Sequence, residues 1–421
     1  MSTRVETLVI GAGQAGLALS YHLKARGRDH LLLDRGRVGE RWRSERWDSF
    51  KLLTPNWQTS MPGMSYAGDD PDGFMDKGEV VTMFDRYARS IDAPVRTGVA
   101  VHRIRRGDSG WEVVSDAGTF DADNVVVATG HHALPRIPME PATRLPSDIT
   151  QLHTSHYRNP AQLPDGGVLV VGAGPSGQQI AEELVGTGRR VILAAGRHRT
   201  LPRRYRGHDT HWWMHHMGAF ERTIDTLADP QSVRSAPAFV LAGGSHDMDL
   251  HRLVDKGVVA AGRLAGVLGT TAWFADDLAE TVAAADRNLV AFRASVDDFV
   301  ARTGISCDPP DAPPRSPGPW ATYAPRQLNF DHVGVRTVVW ATGYRRDFSW
   351  IDAPVFDATG EPLQRRGVTS ADGLFFLGLR WMYRRSSDTI HGVGADAEYL
   401  ASVIAGRPAR ATAGTRTPIA A

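Results

Sequence analysis

Two Gly-x-Gly-x-x-Gly segments, 161 residues apart, constrain the fold more than any other feature of this 421-residue chain. The first follows the apolar run Glu6-Thr7-Leu8-Val9-Ile10 and reads Gly11-Ala12-Gly13-Gln14-Ala15-Gly16. Leu17 to Lys24 then has helical character, and Leu31-Leu32-Leu33 is a second strand ending at Asp34. Strand, glycine turn, helix, strand and acid is the order of a dinucleotide-binding βαβ unit. Gly11 permits the tight turn, Gly13 lets a pyrophosphate approach the backbone, and Gly16 lets helix and strand pack closely. The helix start offers free N–H donors to phosphates. Asp34, 18 residues past Gly16, stands where a carboxylate accepts hydrogen bonds from a ribose hydroxyl, and its neighbour Arg35 is assigned to the same site.

The pattern recurs from Gly167 to Val171 into Gly172-Ala173-Gly174-Pro175-Ser176-Gly177, followed by a helix-like Gln178 to Leu184 and a strand from Arg190 to Ala194. Gly172, Gly174, Ser176 and Gly177 are its cofactor-binding candidates. The interval is too long for a solenoid repeat and suits two separate dinucleotide domains. At the position equivalent to Asp34 stands Ala195, and Arg197, Arg199, Arg203 and Arg204 follow. A missing carboxylate beside guanidinium groups favours a 2′-phosphate, hence NADPH rather than NADH. Arg197 is the first candidate for that contact and Arg203 the second; a solvated basic loop is the alternative.

Two further apolar strands end in Ala-Thr-Gly, at Ala128-Thr129-Gly130 and Ala341-Thr342-Gly343. Glycine after a strand allows close backbone approach to a ligand or a sharp change of direction, so Thr129, Gly130, Ala341, Thr342 and Gly343 join the cofactor candidates and mark crossings between domains. The expected fold class is α/β, with two Rossmann-like dinucleotide-binding domains, the second inserted into the first. Residues 1–150 and 330–406 are expected to form the first dinucleotide-binding domain. Residues 165–330 are expected to form the NADPH-binding domain, with a helical insertion over about 205–320 that includes Asp209 to Leu227 and Asp276 to Val300. The proline-rich segment from Asp308 to Pro319 reads as an extended loop, and 407–421 as a disordered tail.

Composition limits what else the chain can be. Lys+Arg (48) and Asp+Glu (47) nearly cancel, which gives no general electrostatic reason to bind nucleic acid. A single cysteine, Cys307, excludes an internal disulfide, a thiolate metal cluster and a Cys-x-x-Cys redox pair. The N-terminus lacks a signal-peptide pattern, and the apolar stretch from Gly257 to Phe274 is broken by Arg263 and glycines, so no membrane span and a cytoplasmic location are expected.

The two glycine units, the Ala-Thr-Gly strand ends and Gly39-Glu40-Arg41-Trp42-Arg43 together resemble the flavin-dependent monooxygenases that carry FAD and NADPH on one chain. That group includes flavin-containing monooxygenases, Baeyer–Villiger enzymes and indole-3-pyruvate monooxygenases. The stretch from Arg46 to Trp57 is similar to the one bordering the flavin ring in bacterial members. The resemblance implies flavin-site roles for Trp42 and Thr54 and a catalytic hydrogen bond from Asn56, for which a turn-forming role after Pro55 is the alternative. The family fingerprint Phe-x-Gly-x-x-x-His-x-x-x-aromatic maps onto Ser147 to Tyr157, where His153 and Tyr157 match but Ser147 and Ile149 do not. His153 is read either as orienting the linker near NADP or as a structural histidine. Gly378 and Gly394 resemble the last FAD-binding segment, where a helix is expected from about Ala395. The implied reaction uses NADPH and O2 to form a C4a-(hydro)peroxyflavin that oxygenates a small substrate; an NADPH oxidase or diaphorase is the alternative. No metal is expected: His211 and His215 have helical pair spacing, but no acidic ligand shares their face except the more distant Asp209. Whether the chain forms a homo-oligomer stays open.

Overall fold

A computed structural model describes residues 2–316 and 318–408; the expected tail falls largely outside the described residues. Leu8, Val9 and Ile10 are all buried, so the second half of the first strand, Thr3–Ile10, is covered on both faces and reads as a continuous apolar run rather than an alternation. It pairs in parallel with His30–Leu33 on one side and Gly118–Val127 on the other. Val95–Arg96 extends the sheet beyond His30–Leu33. The strand Gly118–Val127 serves two partners along one edge. Its first half pairs antiparallel with Gly110–Ser115, and its second half pairs in parallel with Leu374–Phe376. The C-terminal segment thereby returns to the first sheet, and the helix Val393–Ala405 packs against the helix Gln14–Ala25.

The second sheet is wholly parallel, in the order Val259–Ala261, Val191–Ala194, Gly167–Val171, Val335–Trp340, Thr150–His153. Apolar side chains cover both of its faces. Two expectations are corrected here. Val335–Trp340 completes the second sheet, so the chain returns to the first unit only after residue 340 and not at 330, because an apolar strand needs neighbours on both edges to satisfy its backbone. The insertion is also less helical than expected. Thr210–His216 and Leu278–Thr303 are helices, but the glycine-rich stretch from 257 contributes Val259–Ala261 to the sheet and forms Leu264–Leu268 and Thr271–Phe274 of an antiparallel layer closed by Gln327–Asn329. Among the described residues no helix is long and apolar enough to cross a membrane.

The two crossings run side by side. Leu134–Pro135, after the first Ala-Thr-Gly, pairs antiparallel with Tyr344–Arg345, after the second. Arg136 N–H donates to the Gly343 carbonyl (2.9 Å), and the Thr342 hydroxyl donates to the Arg136 carbonyl. A two-stranded ribbon thus joins the units and fixes where the two glycine turns lie.

Candidate active site at the junction of the two units

Each glycine turn is built against the Ala-Thr-Gly of its own sheet. A Cβ at Gly11 would lie 2.6 Å from the Ala128 carbonyl oxygen, and one at Gly172 would lie 2.4 Å from that of Ala341. Both glycines have positive φ, +110° and +112°, where a side chain is strained. A Cβ at Gly16 or Gly177 would sit 1.9 Å from the carbonyl oxygen of Gly11 or Gly172. First and third glycines are therefore demanded by the fold itself. The middle ones are not: Gly13 and Gly174 are extended residues, and an added Cβ meets nothing within 4 Å. The space in front of each helix start is open, a cradle that a dinucleotide pyrophosphate fits.

Asp34 fixes the first turn. One carboxylate oxygen accepts from Ala12 N–H (2.7 Å) and the other from Gly36 N–H (2.8 Å), which leaves lone pairs on each for a ribose hydroxyl. Arg35 is exposed beside it. At the second turn, Ala195 is fully buried and Arg197 is exposed. Ser176, Thr129 and Gly130 line the turns half-buried. Arg203 is the clear correction. It has no solvent exposure; its guanidinium donates to the carbonyls of Leu53 (3.0 Å) and Ala242 (3.1 Å), pairs with Asp209 (2.5 Å), and lies 4.9 Å from the centre of the Phe74 ring. A side chain held by four interior partners cannot read a phosphate at the surface.

A run of contacts connects the two turns. The Gln14 amide donates to the Asp388 carbonyl (3.3 Å), and the Asp388 carboxylate is 3.7 Å from His131 Nε2. His131 packs on His132 (4.1 Å between ring centres), His132 on Tyr344 (4.7 Å) and Tyr344 on His153 (4.8 Å). His153 donates from Nε2 to the Gly343 carbonyl (2.9 Å) and accepts at Nδ1 from the Ser155 hydroxyl (3.0 Å), so one ring nitrogen holds the second Ala-Thr-Gly turn and the other fixes the ring. Burial, reinforced by His131, Arg46 and Arg41, drives His132 well below the ordinary histidine range; the pair is neutral at physiological pH. The His-His dipeptide after Ala-Thr-Gly was the available signal for it. Tyr157, the other fingerprint residue, donates to Glu183 (2.6 Å) and is buried.

On the flavin-side segment, Trp42 is half-buried between Phe50 and Phe84 with the Arg46 guanidinium over its ring (5.1 Å). Thr54 is half-buried. Asn56 Nδ2 donates to the Asp70 carbonyl (2.9 Å), while Oδ1 is buried without a partner. One Nδ2 hydrogen of Asn56 is thus committed to the backbone, and its buried acceptor oxygen is without a partner. Gly378 has φ +77°, and a Cβ there would lie 2.8 Å from the Ala15 side chain; a Cβ at Gly394 would lie 3.0 Å from Pro62. The helix beside them starts at Val393 rather than Ala395.

Three distant residues complete this wall. His211 Nδ1 donates to Gln58 Oε1 (2.7 Å), and Gln58 Nε2 donates to His391 Nε2 (3.3 Å). Phe220 packs against both imidazoles, at 5.6 and 4.9 Å. Burial holds His211 well below its usual pKa and His391 down to about 4. The relay is neutral and joins the insertion, the flavin-side segment and the start of the last helix. The remaining histidines of the stretch have other partners: His208 and His216 stack on Trp212, and His215 meets Trp57.

The comparisons agree with this geometry. A family model described as pyridine nucleotide-disulphide oxidoreductase matches residues 8–211. The chain is 36% identical over 401 residues to an uncharacterized CzcO-like oxidoreductase of Geobacillus kaustophilus, covering 94% of this chain and 97% of that one. It is 30% identical over 181 residues to an indole-3-pyruvate monooxygenase of Oryza sativa subsp. japonica, 42% of this chain and 44% of the other. In fold it is similar to the flavin-containing monooxygenase of Stenotrophomonas maltophilia, with TM-score 0.64 at 20% identity over 96% of this chain and 98% of that one. The chain belongs to the CzcO-like oxidoreductase family, flavoprotein enzymes with the two-domain architecture of the flavin-containing monooxygenases.

Proposed function

We infer that this protein is an FAD-dependent, NADPH-consuming monooxygenase that inserts one oxygen atom from O2 into a small organic substrate. The observation that carries the reading is the pair of open middle positions, Gly13 and Gly174, at the two ends of one run of contacts across the junction. FAD fits the first turn, where Asp34 offers acceptors for ribose hydroxyls. NADPH fits the second, where Ala195 removes the competing carboxylate and exposed Arg197 faces solvent. FAD held there would supply the redox chemistry that links a nicotinamide to O2.

The chain's own part is positioning and exclusion of water. The starts of the helices Gln14–Ala25 and Pro175–Gly186 offer N–H donors to the two pyrophosphates. The start of Val393–Ala405 offers a positive end to a flavin edge. Asn56 Oδ1, buried without a partner, would accept a hydrogen bond from a group brought beside it, and the neutral relay of His211, Gln58 and His391 adds no charge to that wall. Buried Leu201, Met214, Phe220 and Leu241 close the adjoining space with apolar surface, which keeps water from a reactive oxygen species. Disulfide reduction, which the family model's description names, lacks support here because Cys307 is the chain's sole cysteine. The named monooxygenase relative supports oxygen insertion instead. A cytoplasmic protein acting on a small molecule is part of the same reading.

The test is the fate of oxygen. Hydrogen peroxide formed per NADPH consumed is measured across a panel of sulfides, amines, ketones and 2-oxo acids. Coupling predicts that peroxide falls as oxygenated product appears with one class. Peroxide matching NADPH with every compound would favour an oxidase instead.

A further inference from the structure

We propose that Arg199 and Arg385 form an oxyanion clamp for the carboxylate of an acidic organic substrate with an apolar body. This deepens the monooxygenase reading and rests on it for calling the ligand a substrate. Arg199 belongs to the short strand Arg199–Thr200 of the second unit, and Arg385 to the C-terminal segment of the first. Both guanidinium groups lie over the ring of Phe239, at 3.9 and 4.9 Å from its centre. The backbone holds them there. Phe239–Val240 pairs in parallel with Arg199–Thr200, and Arg385 N–H donates to the Arg222 carbonyl (3.0 Å) beside the bridge of Thr223 with Arg384.

Neither guanidinium makes a hydrogen bond or ion pair with any described residue, and the same is true of the nearby cations Arg222 and Arg380. Burial first, then Arg199, Arg222 and Arg380, bring Arg385 down to about 10. Half-buried cations crowded together are costly unless an anion joins them. Arg203 shows the contrast within the same insertion: interior carbonyls and Asp209 meet its nitrogens. Arg199 and Arg385 keep their donors for something that arrives. Beside them Phe239 packs on the buried cluster of Leu201, Met214, Phe220 and Leu241. A charged head and an apolar body are both provided for. A phosphate of the nicotinamide dinucleotide shares the head chemistry but not the body, and it is the competing source.

Calorimetry on the FAD-loaded protein separates the two, with 3-phenylpropionate, its neutral analogue 3-phenylpropionamide and NADP+ as probes. The acid is expected to bind about tenfold or more tightly than the amide. Arg385→Met and Arg199→Met each remove that preference and leave NADP+ affinity within about twofold, and Arg385→Lys keeps part of it. The proposal is overturned by no preference in the unaltered protein, by a preference that survives both methionine variants, or by a loss that falls on NADP+ instead. Flavin content and thermal melting identify variants that misfold, and Arg199→Met decides alone if Arg385→Met does. Binding is read without turnover, so the clamp can fail while NADPH still bleaches the flavin, and the acid preference is measurable even if it does not.

Discussion

A Cβ at Gly16 would lie 1.9 Å from the Gly11 carbonyl oxygen, whereas one at Gly13 would meet nothing within 4 Å. Gly16→Ala is therefore expected to destabilise the fold by at least about 1–3 kcal/mol in a urea titration, because the obstacle is backbone and cannot swing away. Gly13→Asp should leave the apoprotein's unfolding midpoint nearly unchanged yet abolish FAD retention, since its carboxylate would occupy the phosphate's place. Flavin content near one per chain in that variant would contradict the assignment. Arg197 and Arg203 divide in a similar way. Arg197→Ala should weaken NADPH far more than NADH in a binding titration, by about tenfold or more for the loss of a charge-assisted contact; equal losses would show that it does not read the 2′-phosphate. Arg203→Ala should cost about 3–5 kcal/mol, because it strands Asp209 in the interior, and should leave the preference for NADPH over NADH unmoved. The sequence shows four arginines after Gly196 but not which are satisfied by carbonyls brought from Leu53 and Ala242; that distinction is made only by tertiary packing.

At the scale of elements, both glycine turns, their flanking strands and the Ala-Thr-Gly ends were legible, because each is a local pattern with a local physical cause. The strand Val335–Trp340 was legible as a strand but not as a member of the second sheet, since apolar runs carry no label for their neighbours. The antiparallel layer from Leu264 to Phe274 was hidden for a related reason: glycines and small residues gave it no clear period. The relay of His211, Gln58 and His391 left no trace at all in local spacing, as three elements far apart in the chain deliver it. It has a pH signature. The folded state holds His391 at about 4 and His211 well below its ordinary range, against about 6.5 in the unfolded chain. The unfolded state then binds more protons as pH falls, so stability is intact above about 6.5 and declines progressively towards pH 4. His391→Gln, which keeps an amide for Gln58, is expected to flatten part of that decline in denaturation midpoints measured from pH 7 to 4. A variant whose acid sensitivity matches the unaltered protein would remove His391 from the explanation.

For the whole molecule, the paired crossings at Leu134–Pro135 and Tyr344–Arg345 make the two units one device rather than two binding modules on a string. The contact run from Gln14 through Asp388, His131, His132 and Tyr344 to Gly343 brings the two cradles to a common junction. In the proposed function electrons pass from one bound coenzyme to the other, and that step precedes any question of substrate. The direct measurement is rapid mixing of the FAD-loaded protein with NADPH in the absence of oxygen, following the visible absorbance of oxidised flavin. Full bleaching within a turnover, much slower with NADH, is the predicted result. A flavin that keeps its colour under saturating NADPH would contradict the central claim that the two cradles hold coenzymes in electronic contact.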